Sequence, residues 1–98
     1  MSQEILSVAV FEPAPGQEAE CLATIRELSG IFAARKYSRD FLYRDAKDSS
    51  RYIVVRYWAS DTARREAQED PAALRCWARM ADLMTIIKVY ESLEEVAL

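Results

Sequence analysis

The stretch that decides the fold is Arg51-Tyr52-Ile53-Val54-Val55-Arg56-Tyr57-Trp58-Ala59-Ser60-Asp61. Seven of the eight residues in segment 52–59 are β-branched, aromatic or alanine, and the eighth is Arg56. Because neither alternating set of side chains is polar throughout, we predict a strand that is buried on both faces. Ser60-Asp61 ends the run with small polar side chains that can accept a free N–H and begin a helix. The sequence therefore predicts a central strand that leads directly into a helix.

The segments before this strand predict a strand, a helix and a second strand. Ile5–Phe11 is apolar on both alternating faces, which favours a second central strand, and Pro13-Ala14-Pro15-Gly16 breaks it. Gln17–Arg35 has helical periodicity, with an apolar stripe of Leu22, Ile25, Leu28 and Phe32. Tyr37–Asp45 reads as a strand whose charged flanks suit a sheet edge, with a core of Phe41, Leu42 and Tyr43.

The segments after the central strand predict a divided helical region and a last strand. The helical region begins near Asp61, and Asp70-Pro71 interrupts it, because Asp can cap a new helix and Pro suits its first position. Thr85–Glu91 reads as a strand, followed by a tail over Ser92–Leu98. The expected apolar face of the second helical segment consists of Leu74, Trp77 and Ala81, with Ala73, Met80 and Met84 beside it.

The order β-α-β-β-α-β predicts one α+β domain over residues 1–98. It is the ferredoxin-like plan, a four-stranded antiparallel sheet with both helices on one face. The helices leave the other face open, and a large exposed apolar patch favours association. We therefore expect a homodimer joined through the sheet. The side chains assigned to the open face are Leu6, Val8, Val10, Ile53, Val55, Tyr57, Ile87 and Val89.

Composition argues against several classes of protein. The net charge of −3 and the pI near 5.0 come without a basic cluster, so we expect neither nucleic-acid nor membrane binding. No apolar run approaches the roughly 18 residues that span a bilayer. Met1–Glu4 lacks a positively charged segment, so we expect no secretory signal and a cytoplasmic protein. Cys21 and Cys76 are far apart and are expected to be inert free thiols.

The chain contains no histidine and no asparagine. The absence of histidine removes the usual general base, the commonest transition-metal ligand and the proximal ligand of haem. The remaining cysteines and carboxylates show no metal-ligand spacing. We therefore expect no metal site, no haem and no other cofactor.

Several short motifs resemble the antibiotic-biosynthesis-monooxygenase type of dimeric α+β barrel. They are Pro15-Gly16-Gln17, Leu42-Tyr43-Arg44-Asp45, the run 52–58 followed by Ala59-Ser60, and Asp70-Pro71 before an aromatic-containing helix. The resemblance covers nearly the whole chain. It implies a fold that includes cofactor-independent oxygenases of polyketide aromatics, quinol oxygenases and haem-degrading enzymes, with the ligand between the sheet and the helices.

The resemblance transfers to individual positions. Trp58 matches a tryptophan that lines the pocket of the family's oxygenases, and Arg56 stands where many members have glutamate. Ala9 occupies the position of an asparagine in the haem-degrading members, and the region of Ala67 and Gln68 matches a position that is often histidine. The side chains expected to bind the ligand are Ser7, Ala9, Phe11, Arg56, Trp58, Trp77 and Met80.

The catalytic candidates are Arg56, Trp58 and Tyr52. The two-residue period of a strand turns these side chains toward the helices. Arg56 is either an anion clamp in a pocket or a structural ion pair with a helix carboxylate. Trp58 is a core residue or a pocket wall, and Tyr52 is a candidate proton relay. The carboxylates considered for Arg56 are Glu18, Glu66 and Asp82, whereas Arg64 and Arg65 are expected on the solvated surface.

Three functions follow from these alternatives. The first is a cofactor-independent monooxygenase of a small phenol-, quinol- or anthrone-like aromatic. The second is a non-catalytic barrel that binds a small hydrophobic ligand. The third is a structural dimer in which the seam, the space between the sheet and the helices of each chain, is filled by the protein's own side chains. An open cavity with a free Arg56 favours the first two functions, and a filled seam with Arg56 ion-paired favours the third.

Overall fold

A computed structural model describes residues 4–98, so the prediction for the first residues of the chain lies largely outside the described part. The predicted order of elements is confirmed, and the second helical region is divided at Asp70-Pro71 as expected. The elements are β1 (Ile5–Pro13), α1 (Glu18–Ala34), β2 (Ser38–Arg44), β3 (Tyr52–Trp58), α2 (Asp61–Glu69), α3 (Pro71–Met80) and β4 (Met84–Leu93).

The four strands form one antiparallel sheet in the order β2-β3-β1-β4. The two apolar strands, β1 and β3, are therefore central, and the charge-flanked β2 lies at an edge, as the sequence predicts. Residues directly opposite on neighbouring strands share a face of the sheet. The register pairs Ser7 with Arg56 and Ala9 with Val54, so these four side chains lie on one face.

Side-chain caps fix the starts of the two short helices. Ser60 Oγ accepts the Ala63 N–H at 3.0 Å, and Asp70 Oδ1 accepts the Ala72 N–H at 2.9 Å. Pro71 is the first residue of α3, where its missing N–H costs nothing. These caps explain why the chain turns into a helix directly after β3 and starts a new helix after Asp70.

The core lies between the helices and one face of the sheet, and the predicted stripe of α1 is buried there. Phe32 is fully buried, and its ring contacts those of Trp58 and Trp77 at centroid distances of 5.3 and 5.9 Å. Leu74 lies outside this core and is exposed, contrary to prediction. The residues of α3 that are buried are Ala73, Cys76 and Met80.

The other face of the sheet carries most of the side chains assigned to it, with two differences. Phe41 and Tyr43 are exposed on this face, where the Phe41 ring meets Tyr57 edge-on, and they do not form a core for β2. Val89 lies opposite Ala9 and therefore on the helix side, so its assignment to the open face is wrong. A register shift in the β1–β4 pairing between Val10 and Phe11 changes the phase of β4.

Two other boundaries differ from the sequence prediction. β1 continues to Pro13, and β4 spans Met84–Leu93, so the predicted tail begins two residues too early. Both extensions come from pairing of β1 with β4, which includes Pro13 with Met84 and Leu6 with Leu93. Within residues 4–98, no helix has the length and apolar character needed to cross a membrane.

The buried carboxylate of Asp70 gives a test of this fold. It caps α3, accepts the Tyr37 hydroxyl at 3.2 Å and pairs with Arg35. We expect Asp70→Ala to lower the free energy of unfolding by about 3 kcal/mol, because a helix cap and buried hydrogen bonds are lost together. Urea denaturation measures the change. Asp82→Ala, at an exposed position, is the control, and an equal effect of both substitutions would contradict this role.

Candidate functional site

A cavity of about 250 Å³ lies between the sheet and the helices. Its volume is just below the usual range of roughly 300–1,000 Å³ for small-molecule pockets, which suits a ligand of one or two rings. The seam is therefore open at this point rather than completely filled by side chains. The lining residues are Ser7, Val8, Ala9, Val54, Arg56, Trp58, Arg64, Gln68, Trp77, Ile86, Val89 and Glu91.

Arg56 is ion-paired, and its partner is Asp40 on the neighbouring strand rather than a helix carboxylate. Nε donates to Oδ1 and Nη2 donates to Oδ2, each at 2.9 Å. Only 12% of the Arg56 side chain and 5% of the Asp40 side chain are exposed. Asp40 also accepts the hydroxyls of Ser29 at 2.7 Å and Ser38 at 2.8 Å. The Arg56 charge is therefore compensated within the protein.

The indole N–H of Trp58 also has an internal partner. It donates to Ser7 Oγ at 2.8 Å, and Ser7 Oγ donates to the main-chain carbonyl of Glu91 at 2.6 Å. This chain of bonds links β3, β1 and β4 along the cavity. Trp58 thus gives the cavity an aromatic wall, while its polar atom is used to hold the strands together.

Five of the seven residues expected to bind the ligand line the cavity: Ser7, Ala9, Arg56, Trp58 and Trp77. Phe11 and Met80 do not, because both are buried in the core. Phe11 stacks on Tyr52 at a centroid distance of 5.7 Å. Tyr52 itself lies outside the cavity lining and donates its hydroxyl to Glu18 Oε1 at 2.7 Å. The structure therefore separates Tyr52 from the other two catalytic candidates.

Sequence reasoning missed Arg64 as a cavity residue. It lines the cavity and is 25% exposed, whereas its neighbour Arg65 is 75% exposed and solvated as predicted. Gln68 lies one helical turn after Arg64 and lines the same cavity. The sequence does contain one indication of this placement, because a spacing of four residues puts Arg64 and Gln68 on the same face of α2.

The titrating groups with shifted pKa values lie on the helices and loops outside the cavity lining. Burial raises the pKa of the Cys21 thiol, and nearby Glu18 adds to the rise. A hydrogen bond from Arg79 lowers the pKa of the exposed Glu27 carboxyl, which also accepts from Cys76 Sγ at 3.7 Å. Both cysteines are free and buried, as expected for structural thiols.

The arrangement can hold a flat apolar molecule. The two tryptophans of the protein, Trp58 and Trp77, both line the cavity, and Val54, Ile86 and Val89 add aliphatic surface. The nearby cations are the paired Arg56 and the partly exposed Arg64. Within residues 4–98, His, Cys, Asp and Glu side chains form no group of three that could hold a metal ion.

The Arg56–Asp40 pair yields a prediction about stability. Arg56→Met leaves the buried carboxylate of Asp40 without its cation, so we expect the free energy of unfolding to fall by about 3–5 kcal/mol. The double variant Asp40→Leu/Arg56→Met should recover most of this loss. Arg39→Met removes an exposed pair with Glu4 and should cost less than about 1 kcal/mol. Denaturation curves decide the question: a loss below about 1 kcal/mol for Arg56→Met would contradict the structural role.

Comparison with solved structures supports the fold. The chain is 21% identical to SnoaB, a cofactor-independent oxygenase from Streptomyces nogalater, with a TM-score of 0.79 over 97% of this chain and 98% of the other. It is 23% identical to PA3566 from Pseudomonas aeruginosa, with a TM-score of 0.82 over 99% and 98% of the two chains. Rv0793 from Mycobacterium tuberculosis shows 19% identity and a TM-score of 0.76, over 97% and 100%.

The sequence comparisons give the family. No curated protein matches the chain. The model of the family described as antibiotic biosynthesis monooxygenase matches residues 5–79, which include β1, α1, β2, β3, α2 and all but the last residue of α3. Since this match covers well over half of the chain, the protein belongs to the antibiotic biosynthesis monooxygenase family.

Proposed function

We propose that the protein binds a small electron-rich aromatic molecule in the cavity and oxidises it with dioxygen, without a cofactor. The observation that carries this proposal is the open cavity walled by Trp58 and Trp77 between sheet and helices. A filled seam would leave no place for a substrate. Membership of a monooxygenase family and the fold shared with SnoaB, a cofactor-independent oxygenase, support the same reaction class.

The reaction needs little from the protein once the substrate has lost a proton. For an anthrone-like substrate, one CH₂ group becomes C=O, which is a four-electron oxidation. One oxygen atom of O₂ enters the product, and the other leaves as water with the two hydrogens removed from carbon. The cavity contributes by holding the ring in position and by excluding bulk water from the carbanion.

The roles of the candidate residues differ in this proposal. Trp58 packs against the ring, and its N–H remains with Ser7. Arg56 shapes the cavity while Asp40 holds its guanidinium. We assign Tyr52 no relay role, because its hydroxyl is bonded to Glu18 outside the lining.

A second candidate function is binding of a hydrophobic ligand without catalysis. It is favoured by the internal satisfaction of the Trp58 N–H and of the Nε–Nη2 edge of Arg56. The chain also contains no histidine to act as a base. Oxygen uptake distinguishes the two functions, because a binder without catalytic activity would take up a ligand and consume no oxygen.

Oxygen consumption with a panel of hydroxylated anthrones and quinols tests the oxygenase. We expect uptake above the spontaneous rate in the presence of a metal chelator, with one O₂ consumed per quinone formed from an anthrone. Ala9→Leu places a larger side chain in the cavity and should reduce uptake at least tenfold.

Ala23→Leu is the matched control, since Ala23 is exposed on α1 and outside the cavity lining. It should retain the wild-type rate. An anthrone oxidation that is unaffected by Ala9→Leu would contradict catalysis in this cavity. Ligand binding without oxygen uptake would favour the second function.

We also propose that two copies associate through the open face of the sheet. Val55 and Tyr57 lie there with Phe41 and Tyr43 of the edge strand, and they line a shallow depression. Tyr90 of β4 lies opposite Val8 on the same face and is exposed. Apolar surface of this extent favours a protein partner, and a second copy is the simplest partner for a continuous sheet face.

Sedimentation of Val55→Glu tests the association. The wild type should sediment as a dimer, whereas the variant should be monomeric or aggregated, because it places an unpaired charge in the interface. Val96→Glu makes the same change at an exposed position near the end of the chain and should leave the dimer intact. A dimer that is unchanged by Val55→Glu would contradict the proposed interface.

A further inference from the structure

Arg64 contains the one buried side-chain nitrogen or oxygen atom that has no hydrogen-bond partner in residues 4–98. That atom is Nε, and Arg64 lines the cavity. Buried polar groups are almost always paired, and an unpaired N–H on a charged group is especially unfavourable. An acceptor supplied by a ligand would remove this deficit.

Asp61 is the one side-chain partner of Arg64 in the described part of the chain. Nη2 donates to Asp61 Oδ1 at 3.2 Å, three residues earlier on the same helix. Asp61 is partly exposed and also pairs with Arg65 at 2.8 Å, so it keeps a cation when Arg64 moves. The Arg64–Asp61 pair is partly solvated, with 25% and 43% of the two side chains exposed, and partly solvated pairs contribute little to stability. Rotation of Arg64 toward a ligand is therefore inexpensive, and it would expose Nε to an acceptor.

The other arginine of the cavity shows what a guanidinium binds in this protein. Arg56 uses its Nε–Nη2 edge to hold both oxygens of a carboxylate, each at 2.9 Å. The same edge of Arg64 has an unpaired Nε and an Nη2 with one long bond. Two parallel N–H donors fit the planar geometry of a carboxylate. Gln68, one turn along α2, adds an amide to the same lining.

We infer that the cavity selects aromatic molecules that carry a carboxylate, and that Arg64 binds this group through Nε and Nη2 while the ring packs against Trp58 and Trp77. This inference rests on the proposed binding of an aromatic ligand in the cavity, but not on catalysis. The lining also contains the carboxylate residue Glu91, so the unpaired donor of Arg64 carries the inference rather than an excess of positive charge.

Calorimetric titration with 2-naphthoate and its neutral isostere 2-naphthamide tests the inference. The wild type should bind the carboxylate at least about tenfold more tightly than the amide, since charge-assisted bonds are the stronger ones. Arg64→Gln should remove this preference and leave binding of the amide within about twofold. Arg64→Lys keeps the positive charge but not the two parallel N–H donors, so it should keep only part of the preference for the carboxylate.

Arg65→Gln is the matched control, because Arg65 has the same neighbour, Asp61, and lies outside the cavity lining. It should keep the full preference, and an equal loss in Arg64→Gln and Arg65→Gln would overturn the assignment to Arg64. Equal binding of both compounds by the wild type would overturn carboxylate selection and leave the aromatic-ligand proposal standing. Failure of the wild type to bind either compound would overturn both.

Discussion

The ion pair of Arg56 with Asp40 is the interaction on which the rest of the seam depends. A guanidinium on a central strand, facing the helices, is tolerated only when its charge is compensated. The register places Asp40 directly opposite Arg56 on β2, and Ser29 of α1 and Ser38 add bonds to the carboxylate. The Arg56 guanidinium then lies over the rings of Phe32 and Trp58, at 4.8 and 5.4 Å. One charge pair thus joins the edge strand, the central strand and α1.

This pairing also decides what the cavity can offer a ligand. The Nε–Nη2 edge of Arg56 goes to Asp40, and the Trp58 N–H goes to Ser7. The rest of the lining is mainly aromatic and aliphatic, with the side chains of Gln68 and Glu91 and an unpaired donor on Arg64 at its α2 side. Such a surface positions a ring by shape and leaves the reactivity to the substrate itself. A cavity of this kind suits an oxidation in which the substrate itself supplies the electrons.

The sequence predicted the order of elements, the central strands and the direction of Arg56, because these follow from two-residue and 3.6-residue periods. It did not predict Asp40 as the partner, since a contact between strands depends on their register, which local periodicity does not contain. The prediction that Val89 lies on the open face is wrong for a similar reason, because the register of β4 shifts in its pairing with β1. The doublet Arg64-Arg65 predicts a solvated charged face, and only the packing of α2 distinguishes the two side chains, which are 25% and 75% exposed.

The strand alternation of β3 couples the two proposed roles of the sheet. Val54, Arg56 and Trp58 face the helices and the cavity, whereas Val55 and Tyr57 between them face the uncovered side. A partner on that side would restrict the backbone that positions the cavity residues, because neighbouring side chains share one strand. β1 repeats the arrangement, with Ser7 and Ala9 inward and Val8 opposite Tyr90 on the open face. Covering the open face would therefore stabilise the geometry of the cavity without adding any residue to it.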